Sequence, residues 1–468
     1  MTDLLIRDAE VDGVPGVDVA ITGDRITAIG PNLVAPTADV IDADGGALIP
    51  GLHDHHLHLH AMAADAASVR CGPPAVHDPA ALATALGKAA GDDNGWVRGV
   101  GYIDTVAGDL DADRLDRLHS ARPVRIQHRS GAMWVLNSAA VTATHLDSAT
   151  HPGVERAPDG HPTGRVWRAD TWLRARLPPS RPPRLNNIGA TLTRLGVTGV
   201  TDATPDLSPQ SQAAIAAAMS SGELPQRVHL LGTPPDDVSV SPAARLTVGP
   251  YKIVLADSGL PDLDDLAARI REVHNQGRAV AVHCVTREAL LILLTVLDEV
   301  RTIPGDRIEH GALIPAETIE DLHRRGLTVV TQPGFVADRG HDYLRDVDKR
   351  DHPDLYRCRS LIDASVAVAL SSDAPYGPLD PWAVITAAAT RRAPTGEIIG
   401  STERITAAQA LTRYLTPADK PGGTPRHIHV GATADMVLLS APLADILTAP
   451  AADAVHATLI GGHLANPD

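Results

Sequence analysis

The stretch LIPGLHDHHLHLHA, from Leu48 to Ala61, places five histidines within eight positions. Side chains alternate faces along a β-strand, so several His-x-His pairs are open to it: His53 with His55, His56 with His58, and His58 with His60. The choice between them depends on what the rest of the chain brings to the same place.

From about residue 185 onward, short apolar strands alternate with amphipathic helical segments. The strand-like runs are GVTGVTDAT (196–204), RVHLLGTP (227–234), YKIVLADS (251–258), AVAVHCVT (279–286), RIEHGALI (307–314), LTVVTQPG (327–334) and VAVALSSDAP (366–375). Between them lie segments such as LDDLAARIREVHNQG and PAETIEDLHRRG, each ending in a glycine, a helix-stop signal. With the histidine-rich strand near residue 54 the count reaches eight, the number a (β/α)8 TIM-like barrel requires.

Both ends of the chain differ from this rhythm. Residues 1–50 and 425–468 alternate apolar and polar positions between Gly and Asp turns, which predicts one small β-sandwich built from both termini. The barrel is then expected over 51–424, interrupted by an insertion at about 61–185. That insertion holds an expected helix (79–91), strands near WVRGVGY and PVRIQHRSGAMWVLNS, and a Pro/Arg-rich stretch around 178–184. Following the first barrel strand, it reads as a lid or substrate-binding cap.

Composition narrows the class. The chain of 468 residues is 44% hydrophobic but only 3% aromatic, with Phe335 its single phenylalanine, so its core must rest on Ala, Val, Leu and Ile, as parallel β/α cores do. A net charge of −16 without a basic run argues against nucleic acid or an anionic membrane surface as partner. Cys71, Cys284 and Cys358 are far apart and form no CxxC, which suggests reduced thiols. The N-terminus shows no signal-peptide pattern, and no apolar run approaches the roughly 18 residues of a membrane span, so a cytoplasmic protein is expected.

The expected strands carry ligand-type residues: histidines on the first, Lys252 on the fourth, His283 on the fifth, His310 on the sixth and Asp373 on the eighth. All but Lys252, which comes early in its strand, stand at C-terminal ends, and such positions converge at a barrel mouth. Each has a plain alternative. Asp373 could open a turn before Pro375, and Lys252 could reach the surface along its stem. Together, imidazoles and a carboxylate on separate strands suit Zn²⁺ or a similar divalent ion.

The motifs resemble those of the metal-dependent amidohydrolase superfamily. LIPGLHDHHLH is similar to its Pro-Gly-x-x-Asp-x-His-x-His signature, and GATADMVLLSAP to its closing segment. RIEHGALI, VVTQPG, SSDAPYGPLDPW, GVTGVTDA and PTGRVWRA resemble most the branch with N-substituted formamide deformylases, amidohydrolase family 3. The resemblance implies that His56 and His58 are the metal pair, with Asp54 supporting them. His53 and His55 are then expected on the opposite face by alternation, and His60 on the metal face but beyond the motif. It further implies Lys252, His283, His310 and Asp373 as the other ligands, one or two divalent ions with zinc foremost, and Lys252 N-carboxylated as in many relatives. The implied reaction is hydrolysis of a small-molecule C–N bond in an amide, formamide or cyclic amide, with Asp373 as general base and acid.

Departures fall where substrate would sit. HRSGAMWVLNS keeps His128, Ser130, Asn137 and Ser138 but has Ala132 where a second histidine often stands, and KIVLADSGLPDLDD lacks a longer loop after the lysine. His128, Trp134 and Trp382 are the candidate substrate-binding residues. Three rival readings are a deaminase, a metal-dependent isomerase or decarboxylase on the same barrel, and a non-catalytic hydantoinase-like scaffold. Deaminases on this barrel commonly place Glu three residues after the fifth-strand histidine, where this chain has Thr286; scaffolds usually lose ligands that this chain keeps. The assembly state is left open, a homodimer included.

Overall fold

The structure, a computed structural model, describes residues 3–179, 183–234, 245–255 and 261–465. Residues 180–182 of the Pro/Arg-rich stretch and 256–258 of the expected fourth strand lie outside the described residues. The chain forms two compact units, one from Met1–Met62 with Arg184–Asp468 and one from Ala63–Pro183.

In the first unit the termini form two four-stranded sheets. One has the order Arg25–Gly30, Val14–Thr22, Leu4–Val11, Asp39–Asp42, and the other His463–Leu464, Val455–Ile460, Met436–Leu439, Leu48–Pro50. Ile6, Val19, Ile21 and Ile26 from the first sheet share one buried cluster with Met436, Leu438 and Leu459 from the second, so the period-two apolar face of each end is buried against the other.

A single residue, Gly51, separates that sandwich from the first barrel strand, Leu52–Leu57. A Cβ at Gly51 would stand 2.2 Å from Thr198 Cγ2, so only glycine allows the crossing. Parallel pairing then runs from Leu52–Leu57 to Val197–Asp202, Arg227–Leu230 and Leu246–Val248 in one sheet. It runs from Tyr251–Val254 through Val280–Cys284, Arg307–His310 and Thr328–Thr331 to Ala367–Leu370 in the other. Leu246–Val248 and Tyr251–Val254 are two halves of the fourth strand, split at Gly249 and Pro250, the latter having no N–H to give the ladder. Lys252 N donates to Leu231 O at 3.1 Å, linking the fourth strand to the third. Eighth and first strands meet through Asp373 N to His56 O (2.8 Å) and His58 N to Ala374 O (2.9 Å). The (β/α)8 barrel thus closes at the residues expected to hold the metal.

The intervening helices follow their sequence signals. Leu263–Asn275 is capped by Asp262, which accepts from Asp264 N and Asp265 N, and buries Leu266, Ile270 and Val273 on one stripe. Ile319–Arg325 ends at Gly326 in the left-handed region, φ +66°.

The second unit has a six-stranded sheet in the order Val154–Arg156, Pro162–Trp167, Met133–Leu136, Val124–His128, Val97–Tyr102, Val69–Arg70. The helix expected over 79–91 spans Pro79–Lys88. Among the described residues no helix is long and apolar enough to cross a membrane, and the three cysteines are buried and form no disulfide.

Candidate metal centre

The pairing of the first barrel strand with the second shifts register between Val197 and Gly199 and again between Val200 and Asp202. His53 lies on this first strand. Its Nε2 hydrogen-bonds Thr201 Oγ1 (2.9 Å), and its charged surroundings include His229 and Arg307. Its ring lies 4.6 Å from that of His55, which has Arg307, Arg426 and His229 as charged neighbours too, so the two stand together. His55 bonds Thr416 Oγ1 through Nε2 (2.9 Å), after the helix Ala407–Tyr414. His60 lies on the helix Leu59–Ala66, past the strand, and bonds Ser211 O (3.2 Å).

His56, His58, His310 and Asp373 come together. His56 Nε2 and His58 Nε2 lie 3.5 and 3.2 Å from Asp373 Oδ1, and His310 Nδ1 lies 3.7 Å from Asp373 Oδ2. The rings of His56 and His310 are 4.6 Å apart, and those of His283 and His310 are 4.4 Å apart. Ligand atoms of His56, His310 and Asp373 all fall within 4.8 Å of one another. Lys252 is buried beside them, a charged neighbour of His56, His283, His310 and Asp373.

Three buried polar atoms here have no hydrogen-bond partner: His56 Nε2, Lys252 Nζ and Asp373 Oδ1. Buried polar groups are normally satisfied, so this set fits a cation that the side chains would share. Burial also holds the imidazoles of His56, His283 and His310 neutral, as metal ligands must be. His56 and His310 are well below the ordinary histidine value, His283 is pushed down to about 3, and Lys252 is lowered to about 8.

Backbone strain marks the same place. His310 and Asp373 are both non-glycine residues in the left-handed region, at φ 71° and 55°. That turn lets Glu309 and His310, adjacent in sequence, both face the cluster. Asp54 does not face it. Its Oδ1 accepts from His56 N (3.1 Å) and Ser372 N (3.2 Å), clamping the two backbones that carry His56 and Asp373; burial raises its carboxyl to about 7.

Sequence reasoning missed the groups that orient these side chains. Glu309, fully buried, hydrogen-bonds His56 Nδ1 with one oxygen and accepts from Arg307 Nε (2.5 Å) with the other. A carboxylate only accepts, so His56 Nδ1 carries the proton and Nε2 keeps its lone pair. Gln332 does the same for His310. Its Nε2 donates to Ser371 Oγ (2.9 Å) and Val330 O (3.3 Å), which turns its Oε1 to His310 Nδ1 (3.0 Å). His58 Nδ1 bonds Thr204 Oγ1 (3.2 Å), and the Tyr376 ring stands edge-on to His58 at 5.6 Å. The signal for Glu309 was present: RIEH sets opposite charges two apart inside an otherwise apolar strand, which is costly unless they pair.

The candidate substrate residues fare differently. Trp382 is fully buried and spends its Nε1–H on Leu195 O (3.1 Å), so it packs the helix layer and is no pocket wall. Trp134 belongs to the second unit's core, its Nε1 donating to Asp170 Oδ1 (2.7 Å) between the guanidinium groups of Arg98 and Arg125. His128 is half-buried at the end of its strand, with Nδ1 2.8 Å from Ser130 Oγ. Thr286, at the position a deaminase would give to Glu, caps the next helix by accepting from Ala289 N (3.2 Å).

A (β/α)8 barrel with neutral histidines, a lysine and an aspartate at its mouth defines the class of metal-dependent hydrolases. Residues 39–465 match the amidohydrolase family, and the chain belongs to it. It is 24% identical to the N-substituted formamide deformylase of Arthrobacter pascens, over 96% of this chain and 95% of that one. Its fold is similar to that of an uncharacterised metal-dependent hydrolase from Pyrococcus horikoshii (TM-score 0.76, 16% identity, 98% and 99% of the two chains). A second such hydrolase, from Pyrococcus furiosus, is similar at TM-score 0.70 and 19% identity over 88% and 92% of the chains. The protein is thus a metal-dependent hydrolase acting on carbon–nitrogen bonds of small molecules.

Proposed function

We propose that this amidohydrolase cleaves an amide, formamide or cyclic amide, holding one or two zinc ions with His56, His58, His283, His310, Lys252 and Asp373. The observation that carries the reading is the set of three partnerless buried atoms, His56 Nε2, Lys252 Nζ and Asp373 Oδ1, in one cluster. With two ions, Lys252 would be N-carboxylated, giving its orphan nitrogen a carboxylate to offer. A divalent ion held there would supply Lewis acidity for the scissile carbonyl and for water.

The protein's own groups supply positioning and proton transfer. Asp373 takes a proton at Oδ1 from the attacking water and returns it to the leaving nitrogen. Water oxygen thereby joins the carbonyl carbon, the C–N bond breaks, and an acid and an amine leave. Such assistance is worth about 10²–10⁴-fold. Glu309 and Gln332 fix the His56 and His310 tautomers, and Asp54 holds the backbones of His56 and Ser372 in register. The Arthrobacter relative's name, an N-substituted formamide deformylase, supports formamides as the first substrates to try.

The test is elemental analysis of the purified protein, then a screen of N-substituted formamides, N-acyl amides and cyclic amides. Bound zinc with formate or another carboxylate released is expected. Ammonia released from an amino-substituted ring would favour the deaminase reading, and protein that takes up no transition metal would end the proposal.

A further inference from the structure

At the opposite end of the barrel, where strands begin, lies a basin of about 810 Å³. Four arginines line it: Arg25, Arg227, Arg245 and Arg426. Its wall also includes His53 and His229, which are buried. In a chain with a net charge of −16, such a concentration of cations runs against the whole.

The acids that line it do not balance them. Asp435 is already used, its Oδ2 accepting from Arg227 Nε (2.5 Å) and its Oδ1 from Gly461 N (2.7 Å). Asp419 is exposed at the rim. Arg426 donates only to neutral carbonyls, Leu415 O (3.1 Å) and Gly51 O (2.5 Å). Arg25 donates to Gly431 O (3.2 Å) and Thr433 Oγ1 (3.4 Å) and has an exposed ion pair with Asp24 (3.5 Å).

Several nitrogens are left over. Arg245 Nε and Nη2 are buried without a hydrogen-bond partner, and so is His229 Nε2, on a side chain only 4% exposed. His229 Nδ1 is held by Thr247 Oγ1 (2.8 Å), which fixes the ring. A Cβ at Gly249 would stand 2.1 Å from His229 Nε2, so glycine keeps that nitrogen uncovered by a side chain. A buried guanidinium with two idle donors is costly unless something accepts from it.

We propose that this basin binds a small oxyanion, carried by a phosphate or a dicarboxylate. Oxygens of either group would accept from the idle Arg245 donors, and a guanidinium fork matches their geometry. The charge would be met by Arg245 itself and by Arg426, which donates to neutral carbonyls.

Calorimetric titration of the metal-loaded protein with inorganic phosphate and with succinate, at ionic strength fixed by potassium chloride, tests this. At least one anion is expected to bind and chloride not to replace it; tighter phosphate marks a phosphate ligand, tighter succinate a carboxylate. Arg245→Gln should weaken binding about 10- to 100-fold, the loss of charge-assisted hydrogen bonds. Its unpartnered Nε and Nη2 mean the fold should survive, as circular dichroism would show. Arg25→Gln, at the exposed rim, should also weaken binding and provides an independent reading. His56→Ala should bind the anion as wild type does, because the basin is far from the mouth. Failure of both anions to bind, wild-type binding in both arginine variants, or loss of binding in His56→Ala, which would put the anion at the metal centre, each overturns the proposal.

Discussion

Glu309→Gln exposes most directly how the candidate centre is supported. The carboxylate is fully buried, and both oxygens are used, one by His56 Nδ1 and one by Arg307 Nε. A glutamine has one carbonyl oxygen, so it can satisfy only one of them and turns an NH2 donor towards the other. Arg307 is 1% exposed, its Nη1 has no partner and its Nη2 only a 3.4 Å contact with His55 O, so nothing else meets its charge. Removing one member of a buried pair costs about 3–5 kcal/mol. Separately, a ligating histidine that loses its outer carboxylate binds metal about 10- to 100-fold more weakly, about 1.4–2.7 kcal/mol. Urea unfolding of chelator-treated protein reads the first effect, and competition with a metallochromic chelator reads the second. The double variant Glu309→Gln/Arg307→Met should regain stability without regaining metal affinity. Normal metal affinity in a destabilised Glu309→Gln would make Glu309 merely the counter-ion of Arg307 and refute its support of His56.

His56→Ala should lose metal and activity together, whereas His55→Ala, which removes a bond to Thr416 and a ring contact with His53, should keep both; metal content after dialysis decides. Asp373→Asn should retain much of the metal yet lose about 10²–10⁴-fold in kcat, and near-normal turnover with full metal would remove the proton-transfer role. Burial, helped by Arg307 and Arg278, holds His229 at about 3, so the unfolded chain takes up a proton that the folded chain refuses. Its contribution is complete above about pH 6.5 and is lost as pH falls below it, at about 1.4 kcal/mol per pH unit. Urea midpoints for wild type and His229→Gln between about pH 7 and pH 5 should diverge by that slope, and parallel lines would count against it.

Much of the architecture was legible because it depends on periodicities. Apolar runs separated by glycine-terminated amphipathic segments mark strands and helices locally, and the alternating ends of the chain needed only each other to bury their faces. The ligand types were legible because lysine, histidine and aspartate at strand ends are costly without a shared purpose. The register of LHDHHL was not legible, since a register shift depends on how the neighbouring strand pairs, which lies more than a hundred residues away.

By itself, then, the sequence determined the barrel, the two-ended sandwich and the residue types gathered at the mouth, because these follow from local pattern and from burial cost. Only the tertiary structure decided which nitrogen of each histidine is free. That depends on Glu309 reaching back to His56 across 253 positions and on Gln332 being turned by Ser371 and Val330. It also moved Trp382 and Trp134 into packed interiors, since their indole N–H groups found the Leu195 carbonyl and the Asp170 carboxylate, and it gathered four arginines around one basin. Hydrogen bonds between distant segments leave no periodic trace in a sequence, because each partner satisfies its own stretch equally well until the fold brings them together.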